Sequence, residues 1–320
     1  MKRKIGMISP AYNLLKVFPN RKREGIKNLK EIFMEPIFAK NAVRKTNSVE
    51  DRLKELEEIL DQEEDLIMAT MGGHTSIQLI EKINYKKIKE KNIPFCGFSD
   101  ITALLLAIYS KTKIEMLYGP VYTVNICEVG GMDGYTKKYL LDTLEGKEFT
   151  YEPSTYQIKE FIDWKDQEIS PKIRDRVPKE YDWITIQEGK VEGKLIGGNL
   201  ATLLLILGTE YLPVEEFQDS ILFIEDCDTN IDEFTSYLES LKLKGVLSKV
   251  KGIIIGKFDT DDLNNKIEDF LKDYFNDSPI PIACNLDFGH VFPIMTLPIG
   301  RKATLECTKN KVLLTLNKKI

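Results

Sequence analysis

The sequence predicts an α/β protein of two domains, the first built on a parallel sheet covered by helices. Three observations carry that expectation: strand and helix signals alternate from the N-terminus, the strands read as near-continuous apolar runs, and the alternation resumes after a long interruption. Residues 4–9 form the first apolar run. Ser48 and Asp51 resemble a capping box opening a helix whose Leu53, Leu56, Ile59 and Leu60 share one face. A second run, 66–71, is broken by Gly72-Gly73, and a third, 93–98, leads into a Leu- and Ala-rich helix over 100–110. From 151 to 188 the pattern gives way to Pro153, Pro171 and Pro178, mixed charges, and aromatics including Tyr156, Trp164, Tyr181 and Trp183. So long a connector is usually a functional loop or a flexible linker. Periodicity then returns: strand 191–197, helix 201–207, strand 220–224, helix 231–241, strand 250–255, helix 262–275, and strands 280–284, 303–307 and 312–316. The expected division is an N-terminal domain over 1–150, a connector over 151–188, and a C-terminal domain over 189–320.

Composition bounds the function. A chain of 320 residues is long for one core and comfortable for two, and 42% hydrophobic with 30% charged residues is globular rather than disordered. A net charge of −5 gives no support to binding a nucleic-acid polymer. Basic clusters such as Lys2-Arg3-Lys4 and Arg21-Lys22-Arg23, and the acidic run from Glu55 to Glu64, read as solvated surface. Five scattered cysteines without a C-x-x-C pair fit neither a disulfide scaffold nor a zinc ribbon, and Cys96, Cys284 and Cys307 sit in apolar runs as small buried hydrophobes. A reduced, cytoplasmic setting is expected. Ser9, Pro10, Tyr12 and Asn13 interrupt any signal-peptide core, and stretches such as 203–207 are far too short to span a membrane.

The chemistry gathers at strand ends, where open parallel sheets build their sites. Ser99 stands where an apolar run ending at Gly97 turns into a helix. A sharp turn there exposes the hydroxyl beside the free N–H groups of the helix, which suits a nucleophile; a serine before Asp and Thr also suits a simple N-cap. Gly72-Gly73 frees the backbone to present an N–H toward a neighbouring site. Glu225 ends an apolar strand, either as the point where the strand turns polar or as a rigid carboxylate able to orient an imidazole. Asp226 and Asp228 beside it suit helix-starting acids. Of the two histidines, His74 follows the glycine pair and His290 lies in a turn-like Asp287-Phe-Gly-His290, where a structural or a catalytic role is open. Two histidines so far apart make a poor metal set. Gly197-Gly198-Asn199 reads as a helix cap, and neither a dinucleotide fingerprint nor a Walker motif occurs.

In order along the chain, Gly97-Phe-Ser-Asp-Ile-Thr102, Tyr118-Gly-Pro120, Gly193-Lys-Leu-Ile-Gly-Gly-Asn-Leu200, Leu222-Phe-Ile-Glu-Asp226, Phe288-Gly-His290 and Leu297-Pro-Ile-Gly300 resemble the LD-carboxypeptidase family of serine peptidases. The resemblance implies a Ser-Glu-His triad on Ser99, Glu225 and His290, an oxyanion hole from the N–H groups of Gly73 and Asp100, and neither metal nor organic cofactor. It implies an N-terminal doubly wound α/β domain, a smaller C-terminal α/β domain supplying Glu and His, the triad at their interface, and a homodimer. Ile101 replaces the second glycine of the α/β-hydrolase elbow, so the shared order Ser, acid, His is no sign of shared ancestry. The family cleaves either the terminal D-alanine from muropeptide tetrapeptides or, in the microcin C immunity branch, an aspartyl–nucleotide-like bond. The context Met71-Gly-Gly-His74, the long connector and Asp182-Trp-Ile184 resemble the second branch. The expected substrate is therefore a small peptide or peptidyl-nucleotide, with L,D-carboxypeptidase activity as the alternative and a catalytically silent binding protein as the reading from another class. In the immunity branch, loop aromatics stack on the base; Trp183 is the candidate here, with packing of the connector as its other reading.

Overall fold

The computed structural model describes residues 2–39, 48–160 and 162–319, for 261–265 the backbone alone. The first half runs β1 (Arg3–Ile8), α1 (Pro19–Glu31), β2 (Met34–Phe38), α2 (Val49–Leu60), β3 (Leu66–Ala69), α3 (Tyr85–Lys91), β4 (Phe95–Gly97), α4 (Ile101–Thr112) and β5 (Met116–Tyr118). Its strands lie in the order β5-β4-β3-β1-β2, all parallel. Alternate side chains enter opposite cores, as a pleated strand requires. Ile5, Met7, Leu66, Met68 and Leu117 pack with Leu29 of α1, whereas Ile8, Ile67, Phe95 and Met116 pack with α2 and α4. Both faces are covered, so the sheet is doubly wound.

The second half runs α5 (Gly134–Glu145), β6 (Phe149–Tyr151), β7 (Tyr156–Gln157), α6 (Trp164–Ile169), β8 (Val177–Pro178), β9 (Ile184–Gln187), β10 (Gly189–Asn199), α7 (Leu200–Ile206), β11 (Ser220–Glu225), α8 (Ile231–Leu243), β12 (Gly252–Gly256), α9 (Asp261–Tyr274), β13 (Ile282–Leu286), β14 (Leu297–Ile299), β15 (Lys302–Thr308) and β16 (Lys311–Leu316). A second sheet has the order β6-β16-β15-β10-β11-β12-β13-β9, parallel from β10 to β13 and antiparallel on its flanks. One strand of the second half crosses into the first sheet. β14 leaves the C-terminal half to pair antiparallel with β5, while β6 joins β16. Helix α4 is buried along almost its whole length, as expected of a helix apolar on every side, and meets α7 across the interface.

The connector is folded onto the rest of the chain. β7 pairs with β8, and β9 completes the second sheet against β13. The Glu168 carboxylate accepts the Asn20 and Arg21 N–H groups at 2.7 and 3.1 Å, capping α1, which has no side-chain cap of its own. Asp287, fully buried, accepts hydrogen bonds from Lys179 Nζ (2.9 Å), Tyr181 Oη (3.1 Å), Trp183 Nε1 (2.8 Å) and the Ser154 N–H (3.0 Å).

The solvated-surface expectation fails at three charged residues. Arg21, Glu55 and Glu64 are buried. Arg21 donates to the Thr123 carbonyl at 2.7 Å, and Glu55 accepts the Ser9 N–H at 3.1 Å; partners of this kind make burial of a charge tolerable. Cys96, Cys284 and Cys307 are buried as anticipated, and all five cysteines are free thiols. No helix among the described residues is long and apolar enough to cross a membrane.

Candidate active site

Ser99 sits at the turn between β4 and α4 with φ of +62°, the left-handed region that a side chain enters only at a cost of roughly 1–2 kcal/mol. That turn pushes its hydroxyl out of the sheet. Glu225 closes β11 and is wholly buried, and His290 lies between β13 and β14 with its ring partly open to solvent. The structure brings the three together. Ser99 Oγ is 3.1 Å from His290 Nε2, and His290 Nδ1 is 2.7 Å from Glu225 Oε2. Ser99 therefore does more than begin a helix: its hydroxyl is engaged with His290, and Asp100 is the residue that stands at the N-cap of α4.

The close approach depends on a glycine. Gly289 has φ of +96°, and a Cβ there would stand 2.4 Å from Glu225 Oε2, so a side chain at 289 would displace the carboxylate from beneath the imidazole. Phe98 presents its ring edge-on to His290 with centroids 5.1 Å apart. Cys227 lies near enough to the imidazole to act on its charge.

The electrostatics favour an ion pair. Burial alone would raise the Glu225 carboxyl, but attraction to His290 and hydrogen bonds from His290, Tyr118 and Asn199 outweigh it and hold the group below the ordinary carboxylate range. Burial opposes charge on His290 as well, yet the Glu225 carboxylate and the Cys227 contact carry its imidazole well above the usual range. Next door, burial and the charge of Glu225 push Asp226 up to about 6, against hydrogen bonds from the N–H of Cys227, the Asn199 amide and the N–H of Ala201.

Gly73 and Asp100 flank the serine. Gly73 has φ of +152°, outside the range comfortable for a side chain, and Gly72 lies so close that a Cβ there would be 3.3 Å from Ser99 Cβ. Asp100 is buried, with Oδ2 accepting the Ser76 N–H at 3.0 Å. Beside His290 opens a cavity of about 420 Å³ whose walls include Tyr181, Lys257, Asp259, Arg174 and Phe292. The Arg174 guanidinium stacks 4.3 Å over the Phe292 ring, and the two residues also line a second cavity of about 420 Å³ near Gly130, Asp133 and Arg176.

Trp183 is placed differently from the stacking expectation. It is 8% exposed, packed in the core, with its indole N–H given to Asp287. A ring so enclosed has no free face for a base, and Trp183 packs the connector onto the C-terminal half. His74 is exposed with its ring edge to Tyr12 at 6.2 Å, apart from the Ser99–His290–Glu225 chain. Among the described residues, no three His, Cys, Asp or Glu side chains converge to hold a metal ion. Sequence reasoning passed over Tyr118 and half of Asn199. Asn199 does cap α7 at Thr202, but its Nδ2 also reaches Glu225 Oε1 (3.3 Å) and Asp226 Oδ1 (3.0 Å). The available signal was position: both end strands on the carboxyl side, where such sheets place their sites.

Residues 5–119 match the model of the LD-carboxypeptidase N-terminal domain, and residues 192–305 match that of the C-terminal domain. The chain belongs to the LD-carboxypeptidase family. Its relatives include YocD of Bacillus subtilis (strain 168), 36% identical over 82% of this chain and 79% of that protein. The microcin C7 self-immunity protein MccF of Escherichia coli is 31% identical over 85% of this chain and 80% of its own length. Among solved structures, an MccF-like protein from Bacillus anthracis superposes with a TM-score of 0.89 at 32% identity, covering 99% of this chain and 97% of that one. MccF in complex with aspartyl sulfamoyl adenosine superposes at 0.88 with 28% identity, covering 100% and 97%. The mixed α/β architecture of this LD-carboxypeptidase family member, with its parallel core and second domain, is thus shared over the whole chain.

Proposed function

We propose that the protein is a serine-type carboxypeptidase or amidase that hydrolyses an amide-type bond at the C-terminal end of a small peptide or peptidyl-nucleotide. The observation that carries this reading is the unbroken hydrogen-bond chain from Ser99 through His290 to Glu225 in a member of this family. His290 Nε2 takes the hydroxyl proton as Ser99 Oγ attacks the carbonyl carbon, and Glu225 fixes the tautomer and stabilises the imidazolium. The N–H groups of Gly73 and Asp100, neither of them hydrogen-bonded among the described residues, are the donors this reading assigns to the developing oxyanion; a donor of this kind is worth about 3 kcal/mol. His290 then returns the proton to the leaving amine, and water releases the acyl group from Ser99. Free thiols throughout fit a reduced, cytoplasmic enzyme, and the family pattern supports a homodimer.

The microcin-immunity reading is favoured over muropeptide trimming by the likeness to MccF, solved with aspartyl sulfamoyl adenosine. Incubation with that compound and, separately, with a muropeptide tetrapeptide tests it. Turnover of the first at the higher kcat/KM supports the reading, and preference for the tetrapeptide overturns the substrate assignment. Ser99→Ala should lower kcat by roughly 10⁵-fold or more. Unchanged hydrolysis by that variant, or binding with no turnover by the unaltered protein, would sink the mechanism.

A further inference from the structure

Tyr118 is the last residue of β5, 1% exposed, and belongs to the half of the chain that carries Ser99. Its hydroxyl touches both ends of the proposed triad. It donates to Glu225 Oε1 at 2.5 Å and accepts the backbone N–H of Ser99 at 3.4 Å. A phenol has one proton and two lone pairs, so it can serve a carboxylate and an amide at once. The bond to Glu225 is short, as expected when the acceptor is ionised. Burial and the adjacent carboxylate push the phenol well above its usual range, which keeps the proton on the oxygen.

The placement has three consequences. Glu225 Oε1 is taken by Tyr118 and Asn199, leaving Oε2 for His290, so the carboxylate is held in one orientation against the imidazole. The Ser99 N–H, at a residue held in the left-handed region, is braced from behind. The hydroxyl also bridges the two sheets, since β5 lies in the first and β11 in the second. β5 is in turn paired with β14, the strand that follows the His290 segment, through Leu297 opposite Tyr118. Ring contacts hold the phenol in place: Phe223 is 5.4 Å away and Phe98 6.4 Å, centroid to centroid.

We infer that Tyr118 is a positioning residue for the proposed reaction, its hydroxyl setting both the orientation and the charge of Glu225 while it steadies the Ser99 turn. This rests on the hydrolase reading. Removing the hydroxyl leaves more negative charge on Glu225, so the imidazole holds its proton more tightly and the acid limb of the rate profile moves to higher pH.

The test uses the full chain and two readouts: the rate at which a fluorophosphonate labels Ser99, and kcat/KM against pH for aspartyl sulfamoyl adenosine. Tyr118→Phe should lower both by about 10- to 100-fold, the range for groups that orient a reacting side chain from behind. KM should stay within about twofold, and the acid limb should shift upward. If Tyr118→Phe unfolds, 3-fluorotyrosine at 118 preserves packing and makes a stronger donor, and the acid limb should then move to lower pH. A folded variant with unchanged labelling and an unmoved acid limb overturns the inference. Ser99→Ala, run in parallel, separates this from failure of the hydrolase reading, because that failure appears as hydrolysis surviving without Ser99.

Discussion

Two buried glutamates behave in opposite ways, and the contrast explains how the site works. Glu225 ends β11 with hydrogen bonds from His290, Tyr118 and Asn199, and its carboxyl is held below the ordinary range. Glu64 lies at the entry to β3, 7% exposed, with neither carboxylate oxygen hydrogen-bonded among the described residues. Burial pushes Glu64 up to about 7, only partly countered by the charge of Lys91. Burial penalises charge in both places. Partners decide the sign. A carboxylate can be kept ionised in the interior when donors are organised around it, and here those donors come from both halves of the chain.

The largest effect should come from neutralising the satisfied acid. Glu225→Gln is expected to lower kcat by roughly 10³- to 10⁴-fold, since an amide cannot stabilise the imidazolium and selects the wrong tautomer. Activity within tenfold of the parent would place Glu225 outside the reaction. The same pairing predicts a pH profile. The general base must be neutral, and its pKa is raised, so kcat/KM should climb with pH through a limb above the ordinary imidazole value of 6.5. A limb at or below that value would show that the ion pair does not control the imidazole.

At the unsatisfied acid the effect should fall on stability. Because folding raises the Glu64 pKa, the folded state binds the extra proton, and stability is lost as pH rises from the unfolded value of 4.5 through about 7. Glu64→Gln removes that loss. Its advantage over the parent in thermal melts should grow across that window to about 1–3 kcal/mol, and parallel melting curves from pH 5 to pH 8 would contradict the assignment. The smallest effect on turnover belongs to Trp183. Trp183→Phe removes a donor from buried Asp287 and should cost about 1.5–3 kcal/mol of stability. KM for aspartyl sulfamoyl adenosine should change by less than about threefold. A KM rise above tenfold with an unchanged Tm would return Trp183 to the substrate.

Local codes in the sequence were legible where one segment decides its own structure. Ser48 caps α2 by accepting the Asp51 N–H at 3.1 Å, and Leu56, Ile59 and Leu60 turn inward as their spacing requires. The apolar runs became β1, β3, β4, β11 and β12, because a strand buried on both faces must be largely apolar. Helix α1 escaped notice for the converse reason. Its buried face carries Arg21, Gly25, Asn28 and Leu29 and its cap is a glutamate far along the chain, so Pro19 at its first position is the one local signal and no hydrophobic periodicity supports it. The glycines were visible as flexible points, but nothing local shows that Gly289 makes room for Glu225.

The order of strands and helices, the turn that exposes Ser99 and the scarcity of histidines were determined by the sequence alone, since each depends on neighbours within a few residues. The tertiary structure decided the rest: that Ser99, Glu225 and His290 meet, that Tyr118 braces two of them, that Trp183 is enclosed by Asp287, and that Glu64 and Glu225 differ in charge. Those outcomes depend on which groups distant in the chain are packed against one another, and a buried group's ionisation is set by its partners in space rather than by its neighbours in the chain.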